Sequence, residues 1–326
     1  MSVTSTTCSP TRLHDDPDLP RSVVLDNDLD PVTVACILEQ KPISVTLDGT
    51  AIWALAVTLV LLIHFLDAPF AELLVLLVPF CLLVQNDYNN FIGLGPGGTP
   101  PTFQGYVRIA WLRLWALRDP FTPPAVPKSA PSVAASAGPA SDPDKHVIVP
   151  PTYLPAHGLL PATGPLPYRP GPRPVVAGIA PQRQLDQHGT KQHYRALRRT
   201  LESLARAHPG RFGTARSCLE KHGLGLFARH PVNVTCNGEI CHVHDSDHSL
   251  HLCLHPEDIA EVLRKGWGQR HPLARRGWFG AMPVPEEFLM VYAPRDDQEL
   301  DIVCRVIEAA IWYAAAERQR IEVVEA

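Results

Sequence analysis

The sequence predicts an α+β fold: a small antiparallel sheet with helices packed on one face, preceded by an N-terminal membrane segment. Three observations predict it. Residues 51 to 84 are an almost unbroken apolar run, residues 120 to 181 hold 17 of the chain's 34 prolines, and the remainder mixes helix-period with strand-period patterns. Strands and helices in that order suit an antiparallel sheet with its helices on one side.

At 326 residues the chain has the length of two average domains, yet its apolar and Pro-rich segments leave room for one soluble core. Basic and acidic side chains number 29 and 33, a net charge of −4, so no positive field exists to hold a phosphate backbone and nucleic-acid binding drops out. The eight cysteines (Cys8, Cys36, Cys81, Cys218, Cys236, Cys241, Cys253, Cys304) are too scattered for a secreted disulfide scaffold and are expected to be mostly reduced. Asn233-Val234-Thr235 is a glycosylation sequon that matters only if this part of the chain enters the secretory lumen.

Residues 1 to 50 carry Asp15, Asp16, Asp18, Asp26, Asp28 and Asp30 around brief apolar runs, the composition of a disordered acidic tail. It does not read as a signal peptide, because the basic start leading directly into an apolar stretch is missing. The membrane segment, residues 51 to 85, would measure about 50 Å as one helix against a hydrocarbon core of about 30 Å. Pro69 sits where a break is expected. Two arrangements satisfy this: a short hairpin turning at Asp67-Ala68-Pro69, or one spanning piece with the other lying at the interface. Arg108, Arg113 and Arg118 follow the apolar run while the preceding tail is acidic, so the C-terminal part is expected on the cytosolic side of a membrane, that of the endoplasmic reticulum.

Residues 86 to 118 form a juxtamembrane segment. Within it Tyr106 to Leu117 mixes Trp111 and Trp115 with arginines, as an interfacial helix does, although a helix packed on the following domain has the same pattern. Residues 119 to 185 read as a Pro-rich linker, held extended because proline blocks helix interiors and sheet ladders alike.

The folded domain is expected over residues 186 to 320. Tyr194, Leu197, Leu201 and Leu204 mark one helix face that ends at His208-Pro209-Gly210. A second helix starts at Pro256 and stops at Gly266; a third starts near Asp296, with Glu299 completing a capping box. Strands are expected at Glu239 to His244, Ser249 to Leu254 and Phe288 to Ala293, with a further one near Ser217 to Leu219.

The hairpin of the first two strands carries the chemistry. If Asp245 to His248 form its loop, His244 lies opposite Ser249, His242 opposite His251, and Ile240 opposite Cys253. Alternation then gathers His242, His244, Ser249 and His251 on one face and Cys241, Val243, Leu250 and Leu252 on the other. Three imidazoles on one face can move protons near neutral pH or hold a divalent metal; the bland alternative is a row of partly exposed, hydrogen-bonded histidines. His248 and His255 read as structural. Downstream, Lys265-Gly-Trp-Gly-Gln-Arg-His-Pro-Leu-Ala274 is a glycine-containing loop from which Trp267, Arg270 and His271 could reach a ligand or simply pack.

That ten-residue loop, followed by Tyr292-Ala-Pro-Arg295 and a helix, resembles the signature of the fungal luciferases, as does the His242-x-His244 and Leu250-His251-Leu252 hairpin. Asp87-Tyr88, Phe91, Gly95-Pro96 and Phe103-x-Gly105-Tyr106 resemble the stretch those enzymes carry after their membrane helix. The resemblance covers residues 87 to 118 and roughly 172 to 316. It implies an oxygen-dependent enzyme that oxidises a hydroxylated styrylpyrone, 3-hydroxyhispidin, using dioxygen as co-substrate and no other cofactor, because an electron-rich enolate passes an electron to oxygen itself. His242, His244, His251 and His271 are then candidates for the base, with Arg270 or Arg295 partnering the anion. This chain departs from the family in its longer tail, apolar segment and Pro-rich spacer and in the insertion Arg275-Arg-Gly-Trp-Phe-Gly280, so the domain is better fixed than the substrate or light emission. A metal-dependent enzyme using His242, His244 and His251, and a non-oxidative cyclase, isomerase or binding protein of secondary metabolism, are the competing readings. All of them imply a small-molecule partner.

Overall fold

The structure, a computed structural model, describes residues 3–6, 40–44, 49–64, 69–125, 155–233, 235–275 and 282–324. The chain divides into two compact units, Met1–Trp111 with Gly171–Gln187, and Leu112–Pro170 with His188–Ala326. Most of the acidic tail, residues 126 to 154 of the Pro-rich stretch, Asp67-Ala68 of the expected hairpin turn, and Arg276 to Gly280 of the insertion lie outside the described residues.

In the first unit, strand β1 (Val3–Thr6) pairs antiparallel with β2 (Gln40–Ser44). The apolar run is two helices, α1 (Gly49–His64) and α2 (Pro69–Gly93), with Pro69 opening the second. They pack on each other, Ile52, Ala56 and Leu59 lining a groove with Leu74, Val75 and Val78. His64 of α1 and Glu72 of α2 approach to 3.2 Å. Outside that contact Leu55, Leu61, Leu62, Phe70, Leu73 and Leu82 are more than half exposed, a surface that water does not favour. Only α2 among the described helices is both long and apolar enough to cross a membrane; the apolar part of α1 is shorter.

Helix α3 (Phe103–Arg113) follows a glycine-rich turn. Its Tyr106 donates to Asp87 Oδ2 at 3.0 Å and packs with Tyr88, Phe91 and Phe103 in an aromatic cluster. A small hairpin, β3 (Val176–Gly178) and β4 (Gln182–Gln184), completes this unit.

The second unit is a six-stranded antiparallel sheet with helices, the mixed architecture expected. After the short helix α4 (Leu160–Thr163) come α5 (Lys191–Ala207), β5 (Phe212–Arg216), β6 (Leu224–Ala228), β7 (Glu239–Val243), β8 (Leu250–Cys253), α6 (Pro256–Lys265), β9 (Gly268–Arg270), β10 (Phe288–Val291) and α7 (Asp297–Ala315). The strand order is β5-β6-β7-β8-β10-β9. One core joins the apolar sheet face, with Cys241, Val243, Leu250, Leu252, Leu289 and Val291, to Leu197 and Leu201 of α5, Ile259 and Val262 of α6, and Val303 and Ile307 of α7. Helix caps follow the sequence. Thr190 and Asp296 accept from the amides of His193 and Glu299, and Gly266 closes α6 in the left-handed conformation.

Several details differ from the sequence expectation. Ser217 to Leu219 is not a strand; the pairing occurs on either side of it, in β5 and β6. The loop after Lys265 is an edge strand, β9, in which a Cβ on Gly268 would run into the Met290 carbonyl oxygen of β10. Cys81, Cys241, Cys253 and Cys304 are free, as expected of mostly reduced cysteines, and Cys218 and Cys236 form a disulfide that the sequence did not predict; Cys8 and Cys36 lie outside the described residues. The Asn233 amide of the sequon donates to the Tyr313 carbonyl at 2.5 Å and so helps terminate α7.

The Pro-rich stretch is not extended spacer throughout. Its end docks on α6, where the Glu257 carboxylate accepts from the Gly158 amide at 2.8 Å, Asp258 from Leu159 and Leu160 at 3.0 and 2.7 Å, and Glu261 from Leu166 at 2.9 Å. Three carboxylates of one helix thereby satisfy four backbone amides, and Leu159, Leu160 and Leu166 join the core.

Two predictions follow from this packing. Gly268→Ala is expected to lower stability by about 2 kcal/mol or more, because the obstacle is backbone that cannot rotate away; a thermal melt showing no loss would contradict the close approach. Burial pushes the Asp258 carboxyl up to about 6 from 3.8, against the opposing pull of the Leu159 and Leu160 amides. The folded chain holds that proton more tightly, so the stability Asp258 contributes is complete below pH about 4 and is lost as pH rises through about 6. Relative to Asp258→Asn, the wild type should therefore lose on the order of 2–3 kcal/mol between pH 4 and 7, measured by denaturant unfolding; a constant difference would refute the buried carboxyl.

Candidate functional site

Strands β7 and β8 pair with Cys241 opposite Leu252, His242 opposite His251 and Val243 opposite Leu250, the register read from the sequence. The His244 amide donates to the Ser249 carbonyl at 2.8 Å, closing the loop. His242, His244 and His251 therefore share one face, and they are 1%, 1% and 3% exposed. The bland alternative had them partly exposed; they are fully buried, so each polar atom needs a partner inside the protein.

Those partners form a chain. Glu239 Oε1 meets His242 Nδ1 at 2.6 Å, and His242 Nε2 meets His251 Nδ1 at 3.3 Å. His251 Nδ1 in turn meets His244 Nε2 at 2.9 Å, and His244 Nδ1 meets Ser249 Oγ at 2.8 Å. Ser249 donates its hydroxyl to Asp247 at 2.9 Å, and the same carboxylate lies 3.2 Å from His244 Nδ1. At the opposite end Glu239 also accepts from the Ser217 hydroxyl at 2.7 Å and the Cys218 amide at 2.8 Å. Three imidazoles thus lie between two buried carboxylates, both of which orient a ring through its Nδ1.

Glu239 reaches this face because β7 is irregular. Leu226 of β6 pairs with Cys241, but Phe227 pairs with Glu239, so Ile240 is skipped. This bulge turns Ile240 into the apolar core and leaves Glu239 beside His242, where strict alternation would have reversed them. The register with β8 runs from Cys241 to Val243 and does not extend to the expected pair of Ile240 with Cys253.

His271 joins the cluster from the other side. Its ring lies 5.5 Å from that of His251, and Phe288 packs beside both, stacked on His251 at 4.9 Å and 5.4 Å from His271. The Leu273 amide donates to His271 Nδ1 at 3.1 Å, which places the ring proton on Nε2. The two arginines expected as anion partners are committed elsewhere. Arg270 is buried and clamps the carbonyls of Thr122, Ala274 and Glu286, with burial pulling its pKa down; Arg295 engages Glu299 and the Pro170 carbonyl. His248 stacks on Tyr194 and meets the Gly189 carbonyl, and His255 caps α6, so both are structural as read from the sequence.

Sequence reasoning missed Glu239 and Asp247. Asp247 had a signal, a carboxylate in the hairpin loop two residues before Ser249. Glu239 had none, since its facing depends on a bulge that no residue type in β7 announces.

Comparison with known proteins agrees with this anatomy. Residues 237–310 match the family model described as Luciferase domain, a stretch that holds both carboxylates and all four imidazoles of the cluster. The luciferase of Armillaria mellea is 31% identical over 253 residues, covering 71% of this chain and 81% of that protein. The Armillaria ostoyae luciferase is similar to the same extent, and the Neonothopanus nambi luciferase is 28% identical over the same coverage. No solved structure matches. With 31% identity running through most of both chains and a matching domain model over the imidazole hairpin, this protein belongs to the fungal luciferase family.

Proposed function

We propose that this protein is a membrane-held oxygenase that oxidises an electron-rich enol, a hydroxypyrone of the hispidin type, with dioxygen, and that the buried imidazole cluster is its reactive centre. The observation that carries the reading is the unbroken run Glu239–His242–His251–His244–Ser249–Asp247 inside the domain matched to the luciferases. An enol reacts with oxygen as its anion. The O–H proton must leave, the anion must be held, and the carbon beside it can then deliver electrons to dioxygen and form the new C–O bond. Imidazoles linked by hydrogen bonds to terminal carboxylates can take that proton and spread the resulting charge away from the reacting carbon. Burial favours the reaction further, since a peroxide formed in a dry site is not lost to water. Light is a property of the product's energy and is not required by this reading.

The membrane part of the proposal rests on α1 and α2. Their mutual contact leaves most of their leucines outward, and Trp111 of α3 is 61% exposed, as a side chain at a headgroup boundary would be. The arginines after α2 favour a cytosolic position for the second unit, and the endoplasmic reticulum is the membrane proposed.

Oxygen uptake by the full chain in membranes, with a hydroxylated styrylpyrone as substrate, tests the reaction. His251→Gln should reduce turnover by about 10²-fold or more, the usual contribution of a positioned proton-transfer group, while His248→Ala keeps it. An alanine change at His242 would instead take the imidazole partner from buried Glu239 and cost stability of about 1–3 kcal/mol in its own right. Equal uptake by wild type and His251→Gln would remove the cluster from the reaction. Fractionation tests the anchor: the full chain should sediment with membranes and be released by detergent alone, and release by high salt would show that α1 and α2 do not insert.

A further inference from the structure

We infer that His242, His244 and His251 hold a divalent first-row transition-metal ion through His242 Nε2, His251 Nδ1 and His244 Nε2. This deepens the reading of the cluster as the reactive centre, with a bound ion holding the enolate in place of imidazoles that take its proton, and rests on that reading for function, though not for binding. The three residues each bring one ligand nitrogen within 4.8 Å of the other two. The closest approaches, 3.3 and 2.9 Å, compare with the roughly 3.3–3.4 Å that separates imidazole nitrogens on a tetrahedral ion at 2.0–2.1 Å.

Proton counting favours a cation at that point. The Nδ1–H of His242 is directed to Glu239 and that of His244 to Ser249 and Asp247. Both rings then turn the lone pair of Nε2 inward. His251 Nδ1 faces the two of them and can give a proton to only one, so with neutral rings one pair of lone pairs is left in opposition. An ion in the middle accepts all three lone pairs at once. The carboxylates behind the rings are the support that metal-bound imidazoles recurrently have, fixing tautomer and orientation and raising ligand basicity. Three nitrogens without a hard oxygen ligand select zinc, iron or cobalt over magnesium or calcium. A fourth position on such an ion suits an anionic oxygen, and an enolate is one.

The test begins with the full chain purified in detergent without chelator and analysed for metals, where about one zinc, iron or cobalt per chain is expected. After chelation, Co²⁺ should rebind and give visible ligand-field absorption at a wavelength typical of nitrogen ligation. Glu239→Gln should weaken that binding by about 10–100-fold, and His248→Ala should leave it unchanged. The Co²⁺ titration of Glu239→Gln also covers the case in which histidine variants fail to fold. Protein that is metal-free as purified and gives no Co²⁺ spectrum overturns the inference, and so does binding that Glu239→Gln does not weaken. Oxygen uptake is measured beside it. Uptake by metal-free protein would refute the metal and keep the oxygenase, whereas bound metal without uptake on the enol would keep the metal and refute the oxygenase.

Discussion

The bulge at Ile240 is the constraint from which the centre follows. A regular β7 would aim Glu239 into the hydrophobic core and Ile240 at the imidazoles, burying a carboxylate among leucines and an alkyl group against His242. Either placement costs free energy, since an unpaired charge in an apolar interior is among the most expensive things a fold can contain. One skipped residue corrects both. It also fixes the tautomer of His242, because a carboxylate at Nδ1 leaves only Nε2 to face His251. The disulfide between Cys218 and Cys236 brackets the same point: the Cys218 amide and the Ser217 hydroxyl are two of the donors that hold Glu239 in place.

Much of this was legible in the sequence, for definite reasons. His242, Val243, His244 and Leu250, His251, Leu252 alternate strictly, and a one-residue slip would expel Leu250 and Leu252 from the core, so the register had one solution. Asp296 and Gly266 are cap residues doing what their side chain or backbone allows, and the end of α5, both ends of α6 and the start of α7 lie within a residue or two of expectation. The illegible parts depend on contacts distant in the chain. Strands β5 and β6 contain Gly213, Gly225 and exposed Arg216, and they have strand character only because β7 supplies a neighbour. Proline content gave residues 155–170 no strand, but it missed the short helix α4, which Pro161 opens, and it could not show that three carboxylates of α6 would collect the amides of this stretch. Arg270 and Arg295 looked available because carbonyl clamps and a partner such as Glu299 are invisible in a linear reading.

Why the centre is placed on strands rather than loops follows from the opposite face of the same residues. Each histidine is flanked along the chain by a core side chain: Cys241 and Val243 beside His242, Leu250 and Leu252 beside His251. Moving an imidazole therefore requires moving a side chain packed under α5 and α7, and close-packed interiors resist such shifts. Phe288 locks the third direction, stacked on His251 from the adjacent strand. The rings are held in position by the fold whether they carry a proton or an ion, and that preorganisation is what a reaction developing negative charge needs from its surroundings. Such rigidity separates the roles of the four imidazoles. His242, His244 and His251 are pinned by the β7–β8 hairpin and two carboxylates, whereas His271 stands on the segment that follows edge strand β9, its Nδ1 accepting from the Leu273 amide. The motif Arg270-His271-Pro272 sets that difference, since the strand ends one residue before the histidine.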